Sequence, residues 1–250
     1  MAIEKITLPN GEVYTLNEWI HWPQYSSFEA EGAVGAALDP LGLGNGVSVN
    51  IDLFTYQVSQ QVPRAGAIAP RPARTTDTNQ VVGSRMNYDE AFLCYSATYE
   101  IFALETESQP EGRGTMMPTV PNAFQSQGPA FIGTNLRRLQ RDCLFELRVG
   151  AGISKPQLRA PLSYFGQGVG ATAYGPGDAL SAPPDSIHMD YGTAGCVSPN
   201  NQRRYVLPVY IHSDRVMRGK FWSPDGPIVG VNQSYRMRWY LDGMKKRPVA

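Results

Sequence analysis

"AFLCYSATYEIFALE", residues 91–105, alternates along most of its length. Leu93, Tyr95, Ala97, Tyr99 and Ile101 fall on one side, and Cys94, Ser96, Thr98 and Glu100 on the other. A repeat of two puts successive side chains on opposite faces, so the stretch reads as a β-strand. The same pattern recurs outward along the chain. In "GVSVNIDLFTYQV" (46–58), Val47, Val49, Ile51 and Leu53 oppose Ser48, Asn50 and Asp52. "RRYVLPVYIHS" (203–213) carries Tyr205, Leu207, Val209 and Ile211 on one side, and a closing strand carries Tyr235, Met237, Trp239 and Leu241. Asn10-Gly11, between two short apolar runs, is a hairpin signal, because a type I′ turn needs two residues at positive φ.

Two stretches read less cleanly. In "TNLRRLQRDCLFELRVG" (134–150), Leu136, Leu139, Cys143 and Leu147 fit a helix, whereas Cys143, Phe145, Leu147 and Val149 fit a strand. A short turn followed by a strand from about Asp142 reconciles the two. "NEWIHWPQYSSFEAEGAVGAAL" (17–38) spaces Trp19, Trp22, Tyr25 and Phe28 by three and reads as a short helix or an arm, broken at Pro23. Glycine (25) and proline (20) are abundant among the 250 residues, which suits turns and works against long helices. Strong strands are separated by long loops, and long loops on a β frame carry binding or interlocking contacts.

Lys plus Arg and Asp plus Glu both total 22, so no net basic field exists to hold a polyanion. The charged fraction of 18% suits a chain that buries surface against neighbours. Cys94, Cys143 and Cys196 are sparse and read as buried free thiols, without disulfide or zinc spacing. The first residues have no signal-peptide core, and no run has the ~18 apolar residues of a spanning helix, so synthesis and folding in a cytoplasm are expected. His21, His188 and His212 are isolated, and no nucleophile elbow, zincin helix or phosphate loop occurs. Gly166-Gln167-Gly168-Val169-Gly170-Ala171 fits a loose dinucleotide fingerprint but precedes "TAYGPGD", which cannot open the required helix. No catalytic, cofactor or metal residues are assigned, and no small-molecule substrate is expected.

Candidate contact residues are basic and aromatic. Arg137, Arg138 and Arg141 form one cluster; Lys245, Lys246 and Arg247 form another, just beyond an apparent Asp242-Gly243 turn. Cations interleaved with aromatics can hold single-stranded nucleic acid, and Trp19 and Trp22 could meet a membrane interface or a neighbouring subunit. All eight are assigned as inter-subunit or inward-facing contacts.

Three segments carry a family resemblance. "RPARTTDTNQVVGSRMNYDEAFLCYSATYEI" (71–101) has an Asp77-Thr78-Asn79 core leading through a glycine into a strand. "LRAPLSYFGQGVGA" (158–171) opens an inter-strand loop, and "YRMRWYLDGMKKRPVA" (235–250) closes the chain. Together they resemble major capsid proteins of tailless, icosahedral bacterial viruses. That resemblance implies an all-β double jelly roll, two sandwiches side by side, divided here as 1–130 and 131–250. It also implies homotrimeric, pseudo-hexagonal capsomers in a virion shell, with terminal segments facing packaged DNA or an internal membrane. A single jelly roll with long loop insertions is the alternative fold. A minor capsid, vertex or receptor-binding spike protein is the alternative role.

Overall fold

The computed structural model describes residues 5–7, 11, 13–15, 19–31, 48–103, 139–150, 155–165, 204–228 and 234–246. Twelve strands and one short helix occur among them: β1 (Lys5–Thr7), β2 (Val13–Thr15), β3 (Trp19–His21), β4 (Gln24–Ala30), β5 (Asn50–Leu53), β6 (Arg64–Ala65), β7 (Ala91–Ala103), β8 (Leu144–Val149), β9 (Pro156–Pro161), α1 (Leu162–Phe165), β10 (Val209–His212), β11 (Met217–Trp222) and β12 (Tyr235–Lys246). The described residues are all-β apart from α1 and a helical turn at 139–142.

Two sheets share one apolar core. A six-stranded sheet runs β10-β7-β12-β4-β6, with β3 also paired to β12; a four-stranded sheet runs β5-β11-β8-β9. β1 and β2 form a separate hairpin in which Gly11 sits at φ 85°. Eight of the strands nest as antiparallel pairs: β4 with β12, β5 with β11, β7 with β10, and β8 with β9. Two further antiparallel contacts, β12 with β7 and β11 with β8, join neighbouring pairs side by side.

The core is the meeting of the two inner faces. Phe28, Tyr99, Met237 and Trp239 from one sheet join Phe145, Leu147, Met217 and Phe221 from the other. Trp239 lies at its centre, stacked on Phe145 with ring centroids 3.8 Å apart, and Phe165 of α1 meets it edge-on at 5.2 Å. Cys94 and Cys143 are buried free thiols, and burial pushes both up, Cys143 to about 12. Cys196 and His188 lie outside the described residues.

Several expectations are corrected. Two sandwiches divided at 130/131 would require each half to pair with itself. Instead β12 pairs with β4 and β7, and β11 with β5, so each sheet contains strands from both sides of that boundary. The region 17–38 was expected to be a helix or arm; its described part forms β3 and β4, separated at Trp22-Pro23. Of the described residues in "RRYVLPVYIHS", Val209–His212 are strand and Arg204–Pro208 are not.

Asp242-Gly243 is not a terminal turn. β12 continues through it to Lys246, and the register against β7 shifts there as a bulge. A bulge adds a residue without ending the strand. Glycine is required by space: a Cβ at Gly243 would lie 2.1 Å from the Leu93 carbonyl oxygen. Gly243→Ala is therefore expected to cost about 1–3 kcal/mol through forced backbone displacement. A reduced urea midpoint with an unchanged slope would bear this out; an unchanged midpoint would refute it.

Candidate functional site

The β4 edge of the six-stranded sheet is sealed by the chain's own loop. An uncovered edge presents unpaired backbone groups that invite strand addition. Here Asn79 accepts from the Tyr25 amide (3.0 Å) and donates to the Pro23 carbonyl (2.7 Å). The Tyr56 hydroxyl accepts from the Ser27 amide (2.9 Å) and donates to the Ser27 carbonyl (2.6 Å). Glu29 and Glu31 amides donate to the Pro63 and Ala65 carbonyls, both at 3.0 Å. Burial pushes the Tyr56 hydroxyl up to about 12, so it stays neutral and keeps both roles.

A charge quartet fastens this cap. Arg71 donates to Glu29 (2.6 and 2.8 Å) and, through both terminal nitrogens, to Asp77 (2.8 and 2.9 Å). Arg236 on β12 reaches Glu29 at 3.0 Å and Asp77 at 3.8 Å. Both carboxylates are buried, and the Arg74 amide also donates to Asp77 at 2.9 Å. Burial acts to raise the Asp77 carboxyl. The Arg71 hydrogen bonds, the Arg74 amide and the charges of both arginines outweigh it and hold Asp77 below its usual range. Asp77-Thr78-Asn79, the core of the first family-like segment, is thus the fastening of the cap, and Thr78 bridges Ser26 of β4.

The second feature is a corner where β3, the end of β12 and the start of β7 meet. Lys245 pairs with Phe92 and Ile20, and Lys246 with Ala91 and Trp19. The Lys245 ammonium lies 2.8 Å from Glu90, both side chains largely buried, and 5.5 Å from the Trp22 ring centroid. Trp19 is buried, packed with Ala91 and Leu93. Trp22 is exposed, and its amide donates to the Gly243 carbonyl at 3.0 Å. His21 and Asp242 meet at 2.8 Å on the rim.

Of the eight sequence-assigned contacts, Trp19, Trp22, Lys245 and Lys246 therefore converge. Arg141 sits apart on an exposed helical turn, bound to its neighbour Asp142 at 2.6 Å. Arg137, Arg138 and Arg247 lie outside the described residues. The sequence reading missed Glu29, Arg71, Asp77, Glu90 and Arg236. Glu29, Glu90 and Arg236 act through partners distant in the chain, whereas Arg71 and Asp77 also pair across only six residues.

The basic end is correspondingly a strand end rather than a stub. Removing Lys245 to Ala250 strips ladder contacts to β3 and β7 and leaves Glu90 without its cation. The melting midpoint should fall by roughly 5 °C, because each kcal/mol lost moves it by about 2–4 °C in a chain of this size. An unchanged midpoint would mean that the end is only solvated.

Among the described residues no helix is long and apolar enough to cross a membrane, and no His, Cys, Asp and Glu group could hold a metal ion. Comparison with family models, curated proteins and solved structures gives no match to the chain.

Proposed function

We propose that the chain is a structural shell subunit: a single jelly roll with long inserted loops, of the kind that forms the capsid of a tailless icosahedral bacterial virus. The nested pairing carries this reading. In order, the eight strands β4, β5, β7, β8, β9, β10, β11 and β12 pair first with last, second with seventh, third with sixth and fourth with fifth. One long antiparallel hairpin rolled into two sheets gives this pattern, the jelly-roll form that viral shells and lectins use. The family-like segments add support: 71–101 holds the charged fastening of the cap and most of β7, 158–171 includes the end of β9 with α1, and 235–250 contains β12. A sealed β4 edge suits a subunit that must associate through chosen side chains rather than by indiscriminate strand addition.

The test is the size and shape of the purified protein. Sedimentation at increasing concentration, followed by electron microscopy, should give closed rings or regular particles, and the chain should be the most abundant protein of the virion. Protein that stays monomeric at high concentration and joins no regular particle would sink the proposal.

A spike or minor capsid role is the second reading. Its support is Trp222 on the outer face of the four-stranded sheet, with Arg159 and Lys220 lying 5.2 and 5.4 Å from its ring centroid. Clean, competable binding on a glycan array, together with low copy number, would favour it.

A further inference from the structure

We propose that Asp225-Gly226, in the turn just after β11, is a site of spontaneous covalent modification, where the aspartate cyclises onto the next amide and reopens as isoaspartate. The site is independent of the shell reading. The chain has a second Asp-Gly pair, Asp242-Gly243, which the fold protects. The same two residue types thus stand in opposite settings within one molecule.

Asp225 is exposed, and so are Pro224 and Pro227 around it. An aspartate in a turn commonly accepts a hydrogen bond from the amide two residues on. Here that residue is Pro227, which has no amide hydrogen. Among the described residues the Asp225 carboxylate has no ion pair or hydrogen bond, and the Gly226 amide has no backbone partner. Gly226 stands at φ 103°, with nothing within 4 Å of where a Cβ would lie. Carboxyl and amide can therefore swing toward each other.

Asp242-Gly243 holds the same groups fast. His21 meets the Asp242 carboxylate at 2.8 Å, and the Gly243 carbonyl accepts from the Trp22 amide at 3.0 Å. Asp242 lies opposite Ser96, and Gly243 opposite Cys94, in the ladder to β7. Gly243 is also buried against the Leu93 carbonyl. Ring closure there requires β12 to leave its neighbours first.

The step needs only water. The Gly226 nitrogen bonds the Asp225 Cγ and gives its proton to solvent, and one carboxyl oxygen leaves as water. Water then opens the cyclic imide at either carbonyl. Attack at the side-chain carbonyl restores aspartate. Attack at the main-chain carbonyl leaves the chain running through the side chain, which lengthens the turn by one carbon.

The full chain, aged at neutral pH and body temperature in water enriched in heavy oxygen, decides the matter by peptide mapping. A protease that cuts at aspartate but not at isoaspartate reads both sites in one digest. Isoaspartate should accumulate about tenfold faster at Asp225 than at Asp242 in the folded protein, and at rates within about twofold of each other in urea, where no ladder remains. The Asp225 peptide should gain heavy oxygen from ring opening. Asp225→Glu, whose extra methylene disfavours the ring, should abolish the product there. Asn10-Gly11 and Asn45-Gly46 give isoaspartate with loss of ammonia, so each peptide is counted separately. Equal rates at Asp225 and Asp242 in the folded protein, an Asp225 peptide without heavy oxygen, or product persisting in the Asp225→Glu variant would overturn the inference.

Discussion

Trp239→Ala is expected to lower unfolding stability by about 3–5 kcal/mol, the range for deleting a large buried aromatic side chain. The residue is fully buried in the middle of β12, a strand with partners on both sides. Its ring contacts Tyr99 from its own sheet, Phe145 and Phe221 from the facing sheet, and Phe165 of α1, at 3.8 to 6.2 Å between centroids. No neighbour can fill the space left without giving up its own packing. A domain commonly has only about 5–15 kcal/mol of net stability, so this loss is a large fraction of the whole. Urea unfolding measures the loss directly. Trp239→Phe should recover more than half of it; equal losses for both variants would mean that ring volume is not what matters at this position.

Asp77→Ala should cost a comparable amount, about 3–5 kcal/mol, for a different reason. It removes one of the cap's two buried carboxylates and leaves Arg71 and the Arg74 amide facing an empty site. A broken buried pair costs more than the pair contributes, because the remaining charge stays desolvated. The pH dependence has a defined sign. The Asp77 carboxyl is held below its usual range in the fold, so its stabilisation is complete above the unfolded-state value near ~3.9. It is lost as pH falls through the lower folded value. Asp77→Asn should flatten that part of the acid limb. If both proteins lose stability equally between about pH 5 and pH 2, Asp77 is not the responsible group.

β7 was legible in sequence only through its alternating residue types, since Ala91 to Cys94 and Ser96 to Tyr99 are all buried. β12 was legible because it has one dry face and one wetter face along most of its length. That contrast is the source of a period of two. β4 was illegible for the converse reason. From Ser26 to Ala30 it is buried on both faces, against the core on one and under the cap on the other. Ser26 and Glu29 therefore look like surface residues but are satisfied by Phe54 and Arg71, and Ser27 is held through its backbone by the Tyr56 hydroxyl. β9 was hidden by its bounding prolines, Pro156 and Pro161, which an outermost strand tolerates. Asp242-Gly243 suits a turn or a bulge equally well locally, and the ladders from β3 and β7 choose the bulge. Trp19, Trp22, Lys245 and Lys246 were legible as residue types. Their convergence was not, because it depends on β3 pairing with the last described strand.

The pairing of β4 with β12 has a consequence for how the chain is made. About 200 residues separate the two strands, so at 5–20 residues per second the ribosome adds β12 roughly 10–40 s after β4. Until then the inner edge of β4 is unpaired in the growing polypeptide. Its outer edge can be covered much sooner, once residues 56–79 have emerged, because the cap is local. Nascent chains arrested between the cap and β12 should therefore expose one sticky strand edge instead of two. That is a point at which a chaperone, or a premature neighbour, can engage.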